Sequence, residues 1–363
     1  MKTLGVVGAG TMGRGIAQLA VQSGLRVVLH DADAAQLHKA KAAVKAGLEK
    51  GVERGKLTGS EAAAAFGRLE PADALSDLGA CDAVVEAVFE DLELKKKLVY
   101  ELSRLVPAPV PIATNTSSFL VAQVAEGADG AAGRARVVGL HFFNPPVAMR
   151  LVEVIRGPET SDAAAAAARD LAVSLGRTAV AVKDGPGFLV NRVVRSYYLV
   201  AQRLAAEGAG TFTELDAALT AQGLPMGPFT LMDFIGLEVN LAITKSIFEG
   251  LGRPERLTPH WLQERLVGMG FKGVKSAAGF YLYLSGKKAD ENPAAVSLVP
   301  FRKKPLAPEA VFARVMEAIR AEAELMVKEG VASSSDVDTA VTLAMNFPKG
   351  PFAWGRSADA AKA

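Results

Sequence analysis

The sequence predicts a doubly wound α/β domain followed by an all-α domain, and three observations carry that expectation. Short apolar runs alternate with helical periodicities from residue 1 to about residue 183, the pattern of a mostly parallel sheet covered on both faces. A glycine-rich turn lies between the first run and the first helical stretch. Beyond residue 183 the strand alternation stops until Phe280-Tyr281-Leu282-Tyr283, and a helical unit occurs twice. With 363 residues and 50% hydrophobic composition the chain can bury more than one core. Its 41 basic and 39 acidic side chains leave a formal charge of +2, which gives no global field for nucleic acid or an anionic membrane. A single cysteine, Cys81, rules out an internal disulfide framework or a thiolate metal cluster, and the four histidines suggest no metal site. No apolar run reaches the length of a membrane span, and Met1-Lys2 leads directly into a strand, so the expected location is the cytoplasm.

Taken in order, Thr3 to Val7 is a strand that enters Gly8-Ala9-Gly10-Thr11-Met12-Gly13, and residues 14 to 23 then have helical spacing. Strand, GxGxxG and helix together are the phosphate-binding turn of a Rossmann-type domain. Gly8 permits the tight turn, Gly10 admits a pyrophosphate to the backbone, and Gly13 lets helix and strand pack closely. A second strand, residues 26 to 30, ends in Asp31, at the distance where an acid accepts ribose hydroxyls and repels a 2′-phosphate; NAD is the expected cofactor.

Residues 34 to 68 read as a long helix, a break near Gly51 to Gly59, and a second helix opened by Ser60. Lys39, Lys41, Lys45, Lys50, Arg54 and Lys56 recur along them, either as a solvated face or as a landing strip for a polyanionic substrate. Cys81 to Val88 is a buried-strand pattern with Glu86, Glu90 and Asp91 at its carboxyl end, where open α/β sheets bind ligands. After a helix over 92 to 105 and a proline break, Ile112 to Thr114 resumes a strand and opens into Asn115-Thr116-Ser117-Ser118. That cluster reads as a helix cap or as hydroxyls facing a substrate oxygen.

Residues 136 to 156 hold the most informative pair. An apolar run delivers His141, an Asn144-Pro145-Pro146 turn follows, and a second apolar strand carries Glu153 twelve positions on. If the two segments run back along each other, imidazole and carboxylate meet, and a buried carboxylate then fixes the tautomer and raises the basicity of His141. In isolation such a pair reads first as a satisfied strand histidine beside an unrelated acid, and the rest of the chain reverses that reading.

An alanine-rich helix over 160 to 175, a strand over 178 to 182 and the turn Lys183-Asp184-Gly185-Pro186-Gly187 complete a first domain over 1 to 183. The next, 184 to 285, is helical and begins with Asn191 and Arg192; Asn191 reads as a helix-start amide or as a group reaching across a domain cleft. Residues 286 to 308, with four prolines and many charges, read as an extended linker. A shorter second repeat follows over 309 to 363. Glu207-Gly208, Asp216-Ala217 and Pro225-Met226-Gly227-Pro228-Phe229 are echoed by Glu329-Gly330, Asp338-Thr339-Ala340 and Pro348-Lys349-Gly350-Pro351-Phe352, with one residue inserted.

Five of these motifs, GAGTMG, EAVFED, TNTSS, HFFNPP…LVEVI and KDGPGFLVNR, resemble the L-3-hydroxyacyl-CoA dehydrogenase family in order and spacing across residues 1 to 285. The duplicated tail resembles the two-copy helical region of multifunctional fatty-acid oxidation enzymes. The resemblance implies NAD-dependent, reversible oxidation of an (S)-3-hydroxyacyl-CoA to the 3-oxoacyl-CoA. It implies His141 as general base, Glu153 as its orienting acid, Ser117 at the substrate oxygen and cofactor, and Asn191 near the thioester carbonyl. Glu90, Lys95, Asn144 and Lys275 match positions lining the NAD site. Two departures stand out: Val274-Lys275-Ser276-Ala277-Ala278-Gly279 carries alanine where the family has glycine, and a CoA-contacting serine falls at Gly47, which shifts any CoA grip to Lys50 and Arg54. The second repeat lacks its own KDGPGF entry and reads as structural. Relatives with one repeat form dimers through their helical domains, so this chain is expected as a homodimer or as a monomer with an internal pseudo-dimer. The competing readings are a gulonate-type hydroxyacid dehydrogenase and a catalytically idle NAD-binding protein. HFFNPP and the lysine-rich helix argue against the first, and the joint presence of Ser117, His141, Glu153 and Asn191 against the second.

Overall fold

A computed structural model describes residues 1–354, which fall into two compact units divided between Asp184 and Gly185. The first is built on eight strands: β1 (Thr3–Val7), β2 (Arg26–His30), β3 (Leu69–Ala72), β4 (Ala83–Glu86), β5 (Ile112–Thr114), β6 (Val137–Phe142), β7 (Leu151–Arg156) and β8 (Thr178–Lys183). They lie in the order β3-β2-β1-β4-β5-β6-β7-β8, and every neighbouring pair is parallel except β6 and β7. The central strands are buried on both faces, which is why their residues are continuously apolar. Strand order reverses between β1 and β4, and doubly wound sheets open a ligand crevice at such a switch point.

Two local details differ from the sequence reading. β3 was not foreseen, because Pro71 lies inside it; the strand tolerates a missing N–H since it is an edge strand with β2 as its neighbour. Helix Gly59–Phe66 is capped by Thr58, two residues before the expected Ser60, and Thr58 and Glu61 exchange bonds in a capping box. The long helix Ala34–Glu53 turns Leu37, Ala40, Val44 and Leu48 inward, leaving Lys39, Lys45 and Lys50 exposed.

In the second unit, helix Arg195–Glu207 packs on helix Pro308–Lys328, so the second repeat lies against the first. The two copies share their detail. Gly208 and Gly330 end their helices in the left-handed conformation (φ 74° and 68°). Asp216 accepts the N–H of Phe229 at 2.9 Å, as Asp338 accepts that of Phe352 at 2.8 Å. A Cβ at Gly227 would stand 2.3 Å from Asp216, and one at Gly350 2.3 Å from Asp338, so the Pro-x-Gly-Pro-Phe turn needs its glycine to seat the acid. The stretch expected as an extended linker, 286 to 308, is in fact partly ordered. β9 (Tyr281–Leu284) pairs with β10 (Lys287–Glu291), a short helix Pro293–Val296 follows, and Lys304 and Leu306 donate to the carbonyls of Gly208 and Ala209 at 3.0 Å. Charge and proline content concealed these pairings, because each depends on partners elsewhere in the chain.

Asp233 fastens β9: its carboxylate accepts the N–H groups of Phe280 and Tyr281, both at 2.9 Å, and the Tyr283 hydroxyl at 3.1 Å. Burial pushes the Asp233 carboxyl up to about 7 in spite of these donors, and pushes Asp216 upward as well.

Candidate active site

The carboxyl ends of four adjacent strands gather the candidate residues of the first unit. Register pairs Val7 with Glu86, Glu86 with Thr114, and Thr114 with Gly139, so the glycine turn, Glu90, Ser117 and His141 all follow the same sheet edge. β6 and β7 are antiparallel and place His141 directly opposite Glu153. His141 Nδ1 lies 2.6 Å from Glu153 Oε2, with His141 6% and Glu153 0% exposed. The Phe143 ring stands 4.8 Å from the imidazole, centre to centre. Asn115 Oδ1 accepts the N–H of Phe142 at 2.9 Å and ties the end of β5 to the end of β6. The exposed Asn144 begins the following turn, and Pro146 of that turn packs so close to Gly15 that a Cβ there would stand 2.8 Å away. The helix after the glycine turn is thereby seated on the His141 hairpin.

The glycine turn fits a dinucleotide. Gly8 has φ 96°, and a Cβ on it would stand 2.5 Å from the Ala87 carbonyl oxygen; a Cβ on Gly13 would stand 1.7 Å from that of Gly8. The fold therefore demands both glycines. At Gly10 a Cβ would meet nothing within 4 Å, so the protein itself has no use for glycine there, whereas a phosphate approaching the amino end of helix Thr11–Gln22 does. Asp31, at the end of β2, accepts the N–H of Ala9 at 2.7 Å and of Asp33 at 2.9 Å, and Gln36 donates to the Ala9 carbonyl at 3.0 Å. Both backbone groups of Ala9 are thus fixed beside the acid expected to face a ribose.

Lys95, matched by its motif to a position lining the NAD site, belongs to a buried charge cluster. It is 1% exposed and ion-paired with Glu86 at 2.6 Å and with Glu90 at 3.3 Å. Sequence reasoning noted Glu86 only as a strand-end acid; it also accepts the Thr114 hydroxyl at 2.7 Å and the Val88 N–H at 2.9 Å. Glu90 in turn takes three donors on one oxygen, the Thr116 hydroxyl (2.6 Å) and the N–H groups of Ser117 (3.0 Å) and Ser118 (2.9 Å). Burial pushes Glu90 up, but the Lys95 ammonium and these donors outweigh it and hold the carboxyl below its ordinary range. The acids of EAVFED thus position the backbone of Ser117. A further anchor that sequence reasoning missed is Asp184, whose carboxylate accepts the N–H groups of Val121 and Ala122 at 3.0 and 2.8 Å, just beyond the serine loop. Its signal in the sequence is the acid of the Lys183-Asp184-Gly185 turn.

Lys50 and Arg54 are exposed at the end of helix Ala34–Glu53, and the Gly47 position abuts the Gln18 side-chain amide. In the second unit Asn191 lies half-buried in the short helix Val190–Val193, its carbonyl accepting Arg195 Nε at 2.7 Å. Lys275 is ion-paired with Glu238. Ala277, in the loop where alanine replaces glycine, adopts φ 58°, the left-handed conformation glycine takes without strain. Among the described residues no group of three or more His, Cys, Asp or Glu is disposed to hold a metal ion, and no helix is long and apolar enough to cross a membrane.

The model of the 3-hydroxyacyl-CoA dehydrogenase NAD-binding domain matches residues 3–185, and that of the 3-hydroxyacyl-CoA dehydrogenase C-terminal domain matches 187–283 and 311–360. The chain belongs to the 3-hydroxyacyl-CoA dehydrogenase family. It is 32% identical to the 3-hydroxyadipyl-CoA dehydrogenase of Escherichia coli K12 over 98% of this chain and 90% of that one. It is 40% identical to a probable 3-hydroxybutyryl-CoA dehydrogenase of Deinococcus radiodurans, over 77% of this chain and 99% of the other. A solved structure of 3-hydroxybutyryl-CoA dehydrogenase from Escherichia coli K12 superposes with a TM-score of 0.90 at 32% identity, covering 98% of this chain and 91% of that one. The sheet unit is accordingly the family's NAD-binding domain, and the C-terminal model matches both helical copies. As a dehydrogenase of this family, the protein is an NAD-dependent oxidoreductase acting on 3-hydroxyacyl-CoA.

Proposed function

We propose that His141 is the general base of this oxidation and that Glu153 holds it in place. With Nδ1 bonded to Glu153, the imidazole directs Nε2 toward the substrate 3-hydroxyl, takes its proton, and becomes an imidazolium beside a buried carboxylate that stabilises it. NAD, when bound, accepts the hydride leaving the same carbon. Ser117, its backbone steadied by Glu90, bonds the reacting oxygen, and Asn191 bonds the thioester carbonyl; Gly8, Ala9, Gly10, Thr11, Met12, Gly13 and Asp31 hold the dinucleotide, with Glu90, Asn144 and Lys275 along it. Lys95, ion-paired with Glu90, lines the dinucleotide beside it. Lys50 and Arg54 take the phosphates of CoA. The observation that carries the reading is the 2.6 Å pairing of His141 and Glu153 at the sheet edge that also bears the glycine turn.

The same reading places the enzyme in the cytoplasm and makes the second repeat an internal counterpart to a partner's helical domain. Arg192 is buried between Glu322 (2.7 Å) and Glu329 (2.6 Å) of that repeat, and Arg256 also bonds Glu322, a charge network that binds one copy to the other. The test of substrate class is NADH consumption with acetoacetyl-CoA against free acetoacetate. The reading expects turnover of the thioester and little of the free acid; equal turnover would support a hydroxyacid dehydrogenase instead.

A further inference from the structure

The strand ends of the sheet divide the cofactor between them. In the reading above, Asp31 after β2 faces the adenosine ribose, the glycine turn after β1 takes the pyrophosphate, and the base His141 stands near the end of β6. Between β1 and β6 lie β4 and β5, each strand about 4.8 Å from the next. Hydride must pass beside His141, so the nicotinamide belongs over the end of β5. The first residue beyond that strand is Asn115.

Asn115 is built into the edge on two sides. Its N–H donates to the Glu86 carbonyl of β4 at 2.9 Å, and its Oδ1 accepts the Phe142 N–H of β6 at 2.9 Å. The side-chain amide thus continues the β5–β6 ladder past its last backbone pair, Thr114 with Gly139. A backbone N–H can bond only the oxygen of that amide, so the Phe142 contact fixes which way round the group lies. Nδ2 is the atom left over. It bonds no group among the described residues and, unlike the sealed Nδ2 of Asn240, stands open to solvent. Nor does Asn115 cap the next helix, Val121–Ala125, whose N-cap is Leu120. A donor held on a rigid amide without a partner in the protein fits an acceptor that arrives with a ligand.

We propose that Asn115 is a further cofactor-binding residue, its Nδ2 donating to the carbonyl oxygen of the nicotinamide carboxamide and so fixing which face of the ring turns to the substrate. Because β4 and β6 already hold the amide, binding costs it little ordering. The same side chain ties the strand end beside His141, so one group sets the register of cofactor ring and base. The proposal rests on the reading of His141 as that base, whose failure would show in the kinetics of His141→Ala and not in binding constants.

The test compares the affinities of NADH and of ADP-ribose, which lacks the nicotinamide, by calorimetry in the wild type, Asn115→Asp and Asn115→Ala. Asn115→Asp keeps an oxygen for the Phe142 N–H and loses the amide donor, and the dihydronicotinamide it faces is uncharged. Its NADH Kd is expected to rise about tenfold, the worth of one hydrogen bond, with ADP-ribose affinity unchanged. Asn115→Ala should show the same selective loss together with a lower urea midpoint, since Phe142 then loses its acceptor. Unchanged NADH affinity in Asn115→Asp, or equal loss of both ligands, would overturn the proposal and leave Asn115 a brace between strands. No binding of either ligand by the wild type would overturn the placement of the dinucleotide at this edge and the proposal with it.

Discussion

In the sheet unit the fully buried carboxylates Glu86 and Glu153 each face an ionisable base, Lys95 and His141, both at 2.6 Å. In the helical unit Asp216 and Asp233, nearly as buried, are surrounded by neutral donors instead: backbone N–H groups, the hydroxyls of Thr230, Tyr281 and Tyr283, and no bonded cation among the described residues. The difference separates two uses of a buried acid. Opposite an ionisable base, a carboxylate governs charge and proton position, as chemistry at a sheet edge requires. Among neutral donors it fixes geometry, fastening a turn or a strand, and its ionised form is stabilised less. The opposite directions of shift agree: Glu90, near Lys95, is held down, whereas Asp216 and Asp233 are pushed up.

The comparison breaks most visibly at Lys95. Lys95→Met leaves Glu86 buried and uncompensated, and is expected to cost about 3–5 kcal/mol of stability by urea denaturation, with the Glu86→Gln, Lys95→Met double variant recovering much of the loss. Additive losses would mean the two charges do not depend on each other. A smaller effect distinguishes the neutral clamp. Because the folded carboxyl of Asp233 is raised to about 7 from an unfolded value near 3.9, the folded state holds the extra proton between those values. Its stabilising contribution is complete below about pH 4 and is lost as pH rises through 7. Denaturation midpoints from pH 4 to 8 should therefore fall less steeply in Asp233→Asn than in the wild type, and equal slopes would show that Asp233 ionises as freely as an exposed acid.

Some of this was legible in the sequence for physical reasons. The glycine turn and Asp31 are local, their spacing imposed by one strand, one turn and one helix. His141 and Glu153 are distant by only one hairpin, and two apolar runs around Asn-Pro-Pro leave few registers in which both faces stay buried. What stayed hidden depends on partners that spacing does not reveal. Pro71 concealed an edge strand, and the prolines of 286 to 308 concealed a hairpin and bonds to Gly208 and Ala209. The ion pairs of Lys95 with Glu86 and of Arg192 with Glu322 likewise join residues that spacing alone does not pair.

The central claim is that His141, held by Glu153, moves the substrate proton. Its most direct test is the rate of NADH consumption with acetoacetyl-CoA in the wild type and in His141→Ala, with folding checked by circular dichroism. Loss of a positioned general base predicts a fall in kcat of roughly 10²- to 10⁴-fold with the fold intact; an unchanged rate would remove His141 from the chemistry and contradict the account.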